Sequence, residues 1–204
     1  MELELSKTSG VAGDELNESL YQALSAGIPI TEDGADAMEF LERNVQLAKG
    51  GFTDLTTAVD TTTTVINAYG KDVSEINNIT DILIKTQNAG KTTVDELGAS
   101  LANVIPTAAA MGVSFEQVGA GMAALTAQGI PTAQATTQLQ RLFAELGKEG
   151  TKASNILLQV SGKSFKQLQK EGKTVAEILA LMEDHAKENN IGVLDMFSSI
   201  QAGQ

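Results

Sequence analysis

The chain has 204 residues, a net charge of −12, 42% hydrophobic and 4% aromatic residues, and no cysteine or tryptophan. That length supports one core or two small ones, and that hydrophobic content excludes intrinsic disorder. The missing cysteines rule out a disulfide scaffold and a thiolate metal site, the acidic balance argues against general or specific nucleic-acid binding, and no apolar run reaches the ~18–20 residues of a membrane span. With so few aromatics, Ala, Leu and Ile must do the packing. This suits close helix contacts but leaves little burial per residue, so further burial against a partner or a sister subunit fits the composition.

Residues 1–11 show no firm periodicity, and Met1 to Glu4 lack the basic-then-apolar order of a signal peptide. The first predicted helix, about 14–26, places Leu16, Leu20, Ala23 and Leu24 on one face and stops at Gly27, with Pro29 beyond. The second, about 34–49, presents Met38, Leu41, Val45 and Ala48 and closes at Gly50 and Gly51. A third, about 53–69, contains four consecutive threonines, Thr61 to Thr64, which are poor helix formers. A strand is the rival there, but Leu55, Val59, Val65, Ile66 and Tyr69 fit a 3.6-residue period better. The fourth, about 74–89, uses Ile76, Ile79, Leu83 and Thr86.

Thr93 and Glu96 have capping-box spacing and open a fifth helix, which Pro106 should kink or break near Ala102. Gly112 ends it. Ser114 and Gln117 form a second box before Phe115, Val118, Met122 and Leu125. The seventh helix starts at Pro131, a favoured first-turn residue, and runs through Leu139 and Phe143 to Gly147. Thr151–Val160 reads as a short helix, Ser164/Gln167 and Thr174/Glu177 as two more boxes, and Val175 to about Asn189 as a helix. Asp195–Gln204 begins another. Residues 157–170 leave room for one small β-hairpin.

The pattern repeats. Asp14-Glu15-Leu16 through Ser19-Leu20 returns as Asp95-Glu96-Leu97 through Ser100-Leu101, and Gly27-Ile28-Pro29 as Gly129-Ile130-Pro131. Residues 1–130 therefore read as three degenerate helical hairpins, 12–51, 53–90 and 93–130. Residues 131–204 form the C-terminal helical part of the same unit. Stacked supersecondary units of this size cannot bury their apolar faces alone. The fold class is all-α, an array of short helical hairpins. It is not a coiled coil, because no apolar seam survives three heptads.

Motifs that carry chemistry fail on inspection. Gly90-Lys91-Thr92 and Gly162-Lys163-Ser164 end like phosphate-binding loops, but Lys85 and Leu157 occupy the first-glycine positions. Gly119-Ala120-Gly121 lies within a helical stripe, where small residues serve close packing. His185, the only histidine, has Glu183, Asp184 and Glu188 nearby, yet its spacing from Ile178 and Met182 makes it the edge of an apolar face. No catalytic, cofactor or metal residue is assigned.

Charge is uneven. Residues 1–60 hold twelve acidic against three basic side chains, a local −9, while residues 148–173 hold six lysines against Glu149 and Glu171, a local +4. The plain reading is two solvated faces. The sharper one is a homo-oligomer in which the acidic head of one copy docks on the basic tail of another.

The run from Ser19 to Gly203 resembles the core region of phage tail tape measure proteins. The residues that carry the likeness are Ser19 to Gly27, Gly51-Phe52-Thr53-Asp54, Val65 to Gly70, Asn103 to Ala109, Leu139 to Leu142, and Gly172-Lys173-Thr174 through Leu179. The resemblance implies a structural protein of a phage or prophage tail, acting in tail assembly and length determination. Such proteins run inside the tail tube, set its length and leave when DNA is ejected. Their partners are tail tube subunits, assembly chaperones and the baseplate or tail-tip hub. They are found in the lumen of the virion tail and, during assembly, in the host cytoplasm. The chain starts and stops within the family pattern, so a segment of a longer protein or a prophage remnant is expected. Two alternatives stand beside it: a helical-hairpin adaptor with no phage role, recognisable by a concave apolar stripe, and an enzyme with a weak motif around His185, recognisable by a deep pocket with convergent carboxylates.

Overall fold

The computed structural model describes residues 2–29 and 34–197, and those residues form α-helices and short turns with no strand among them. In chain order the helices are α1 (Glu2–Ser9), α2 (Gly13–Ser25), α3 (Ala35–Gly51), α4 (Leu55–Tyr69), α5 (Ile76–Ala89), α6 (Val94–Leu101), α7 (Ile105–Met111), α8 (Phe115–Ala127), α9 (Thr132–Gly147), α10 (Lys152–Ser161), α11 (Phe165–Lys170) and α12 (Val175–Glu188). Short 3-10 turns stand at Val73–Glu75 and Val193–Met196.

Local chemistry sets most boundaries. Asp54, Thr93, Ser114, Thr151, Ser164 and Thr174 each accept a backbone N–H three residues on, from the open first turn of the helix they precede. Ser164/Gln167 and Thr174/Glu177 are complete reciprocal boxes. Gly70, Gly112 and Gly162 take the left-handed conformation that ends α4, α7 and α10. The chain breaks between Leu101 and Ile105, and Pro106 falls in the first turn of α7, where its missing N–H costs nothing.

Several expectations shift. Residues 1–11 contain helix α1, held by Leu5 against the core and by Lys49 Nζ donating to the Ser9 carbonyl. The threonine run is helical: Thr61 Oγ1 donates to the Thr57 carbonyl at 2.7 Å, and Thr63 Oγ1 to that of Val59 at 2.8 Å. Thr62 Oγ1 donates to Asn44 Oδ1 at 2.9 Å, joining α4 to α3 through a buried polar pair. Burial of Thr61, Thr62 and Thr63 with their hydroxyls satisfied outweighs weak helix propensity. The region around 157–170 holds no β-hairpin but the end of α10, a turn at Gly162 and α11. Pro131 is the residue before α9, not its first turn. Of the helix expected over 195–204, Val193–Met196 forms a 3-10 turn, and residues 198–204 lie outside the described residues.

The helices pack as two rows. One runs α2, α4, α6 with α7, then α9; the other runs α3, α5, α8. Each member touches the next in its row, and the rows meet through the α3–α4, α4–α5, α7–α8 and α8–α9 contacts. α1 lies on α2 and α3 at one end, while α10, α11 and α12 follow α9 at the other. A connected apolar core threads the rows from Leu16 through Phe40, Leu83, Phe115 and Phe143 to Ile178.

Candidate functional site

The motif-like stretches are consumed by packing. A Cβ on Gly90 would lie 2.3 Å from Thr126 Oγ1 and 3.1 Å from the Ala123 Cα, so this glycine lets the end of α5 approach α8. Thr92 Oγ1 pairs with Thr132 Oγ1 at 2.8 Å, and Thr132 donates to Glu96 Oε2 at 2.9 Å. Gly162 ends α10 and Ser164 caps α11, with Lys163 Nζ bonded to Glu171 Oε2 at 2.6 Å. Gly119 faces Thr86 and Ile82, where a Cβ would come within 2.6 and 2.9 Å, and Gly121 faces Leu139 at 3.0 Å. α8 is thus wedged between α5 and α9.

His185 is half-buried on α12 and meets the Asn189 side-chain amide at 3.2 Å. Glu183 pairs instead with Lys187 at 2.6 Å. No group of three or more His, Asp or Glu side chains is placed to hold a metal ion among the described residues. No helix among them is long and apolar enough to cross a membrane.

What the fold does build is a set of polar ties between helices that are neighbours in a row. Thr53 Oγ1 donates to Asp95 Oδ1 across 42 residues, Asn67 Nδ2 to the Ala26 carbonyl across 41, and Asn78 Nδ2 to Glu116 Oε1 across 38. Gln87 donates to the Gly50 carbonyl across 37 residues and accepts from the Val94 N–H at 2.8 Å. Glu96 and Gln117, expected to close capping boxes, reach outward. Glu96 takes Thr132. Gln117 Oε1 accepts the Val175 N–H at 2.7 Å, and its Nε2 donates to Gln169 Oε1 at 3.1 Å. Spacing alone had no signal for that redirection, since a box and a bridge need the same residue at the same offset.

One cluster carries perturbed ionisation. The rings of Tyr69 on α4 and Phe115 on α8 lie 6.3 Å apart, tilted by 59°. The buried Tyr69 hydroxyl has no hydrogen-bond partner, and burial together with the nearby Glu116 charge pushes its ionisation well above the ordinary tyrosine range. Burial would also raise Glu116. Hydrogen bonds from its own backbone N–H, Asn78 and Ser114, with the Lys71 charge, outweigh burial and hold the carboxyl below its usual value.

Among the described residues the large exposed apolar side chains, Tyr21, Phe52, Leu158, Leu181, Ile191 and Val193, are spread over α2, the α3–α4 turn, α10, α12 and the segment after it. An open depression between α4 and α7 is lined instead by Thr64, Asn67, Ala68, Pro106, Ala109 and Ala110.

The family model described as phage-related minor tail protein matches residues 2–193. The chain belongs to that family. Within it, the probable tape measure protein of Clostridium phage phiCD119 is 54% identical over 208 residues, covering 99% of this chain and 22% of the relative. The tape measure protein of Pneumococcus phage Dp-1 is 22% identical over 163 residues, covering 80% of this chain and 14% of that protein. The chain therefore spans less than a quarter of the length of either relative. No solved structure matches it. Membership of the minor tail family gives the chain a structural role in a phage tail, and the adaptor alternative is not favoured.

Proposed function

We propose that this chain is a folded module of a tape measure protein, used for assembly contacts and not as a stretch of the ruler. It carries no enzymatic activity. The three hairpins of 1–130 and the helices of 131–204 act as one unit, placed in the lumen of the virion tail and, before that, in the host cytoplasm. Its partners are the tail tube protein, the assembly chaperones and the baseplate or tail-tip hub, through which the parent protein sets tail length and leaves on DNA ejection. The observation that carries this reading is helix length. A ruler counts residues only where the helix is uninterrupted, and no helix among the described residues exceeds the 17 of α3, roughly 26 Å.

Removing residues 53–90 from the parent tape measure tests it, because that deletion takes out α4 and α5 and exposes faces of α2, α3, α6 and α8. Tails of irregular length, or few tails, are expected in electron micrographs. A ruler stretch would instead shorten every tail by about 57 Å, at ~1.5 Å per residue, with normal yield, and that outcome would overturn the module reading.

A further inference from the structure

The helices at the two ends of the rows include stretches of opposite charge, acidic over α1 to α3 and basic over α10 and α11. At the α1–α3 end, Glu4, Asp14, Glu15, Asp36 and Glu39 are all exposed. At the other, Lys148, Lys152, Lys163, Lys166 and Lys170 are exposed on α10, α11 and the turns beside them. Lys163 is engaged by Glu171. Lys148, Lys152, Lys166 and Lys170 have no ion-pair partner among the described residues, and neither do Asp14, Glu15 and Asp36. Residues 61–147 carry −3, and residues 174–204, which hold α12 at the same end, carry −4, so 148–173 is the net-positive stretch of a −12 chain and its lysines lie on α10 and α11 beside the acidic α12.

Stacked helical units end in faces that a further unit would cover. Elements of both ends show apolar side chains to water: Tyr21 on α2 and Phe52 just after α3, 68% and 84% exposed, and Leu158 on α10, 51% exposed. Phe52 holds a left-handed backbone, φ 54°, which presents an aromatic ring at a position that favours glycine. Aromatic anchors rimmed by charge are the usual make-up of a protein interface.

We propose that copies of this chain join end to end, the acidic α1–α3 face of one docking on the basic α10–α11 face of the next. Head against head or tail against tail brings like charges together, so the contact is heterologous and the row extends with each copy added. The charge component is screened beyond about 8 Å at physiological ionic strength. Association therefore grows with protein concentration and shrinks with added salt. This inference does not depend on the module reading and would stand or fall without it.

The test is sedimentation of the chain and two charge-reversed variants, with circular dichroism to verify folding. D14K/E15K reverses the head and K166E/K170E reverses the tail. Each variant alone should self-associate about tenfold more weakly than the wild type, and an equimolar mixture should recover association, since each reversed face then meets its complement. Three results would overturn the proposal: a wild-type monomer at all concentrations in low salt, folded variants that associate like the wild type, or a mixture that stays monomeric. Binding of the lysine end to heparin without self-association would point to a polyanionic partner instead and equally sink it.

Discussion

Two adjacent glycines at the end of α3 separate helix propensity from interhelical packing. A Cβ on Gly50 would meet only the mobile tip of Ile84, at 3.5 Å, an ordinary contact. A Cβ on Gly51 would lie 2.5 Å from Val94 Cγ2 and 2.6 Å from its Cβ. Val94 is fully buried in the first turn of α6, and its Cβ is fixed to the backbone, so no rotamer change relieves the clash. Gly50→Ala should therefore gain part of the ~1 kcal/mol that alanine holds over glycine in a helix. Gly51→Ala gains the same but must push α3 from α6, an overpacking cost of about 1–3 kcal/mol or more. In a chain of this size, about 2 kcal/mol of difference separates the two melting temperatures by about 4–8 °C, read by thermal circular dichroism. Adding Val94→Ala to Gly51→Ala should cost less than the sum of the single changes, because the second removes what the first collides with. Equal shifts of the same sign for the two glycine variants, or strict additivity in the double variant, would refute this reading of the α3–α6 contact.

Phe52→Gly should raise stability by about 0.5–1 kcal/mol, because relief of the left-handed strain exceeds the entropy added to the unfolded chain. Phe52→Ala should show no such gain, and urea unfolding at constant m separates the two. Tyr69→Phe should be neutral or stabilising at pH 7, since it deletes a buried hydroxyl that has no partner. A tyrosine whose folded pKa is raised contributes stability below its unfolded value of about 10 and loses it as pH rises further. The wild type should then fall behind the phenylalanine variant in alkali by at most about 1.4 kcal/mol per pH unit, in paired urea titrations. Parallel pH curves for the two proteins would contradict the burial of that ring.

The sequence by itself determined the helices and their ends. Caps such as Ser164 and Thr174 and stops such as Gly70 and Gly112 act within three or four residues, so spacing is enough to place them. It also contained the charge split, and the likeness to tail proteins, in plain view. Tertiary structure decided what local rules leave open. α1 has no periodicity of its own and exists because Leu5 and Lys49 fasten it to the core and to α3. Thr62 is helical because Asn44, 18 residues earlier, receives its hydroxyl in a buried site. Gln117 bridges to α12 and does not cap its own helix, because a bare N–H waits at Val175, 58 residues away. The two rows, and with them the placing of acidic and basic stretches at opposite ends, rest on contacts between residues some forty positions apart, such as Thr53 with Asp95 and Thr92 with Thr132. Capping and periodicity act over one or two helical turns, whereas the partner of a buried side chain is chosen by which surfaces meet when the whole chain collapses.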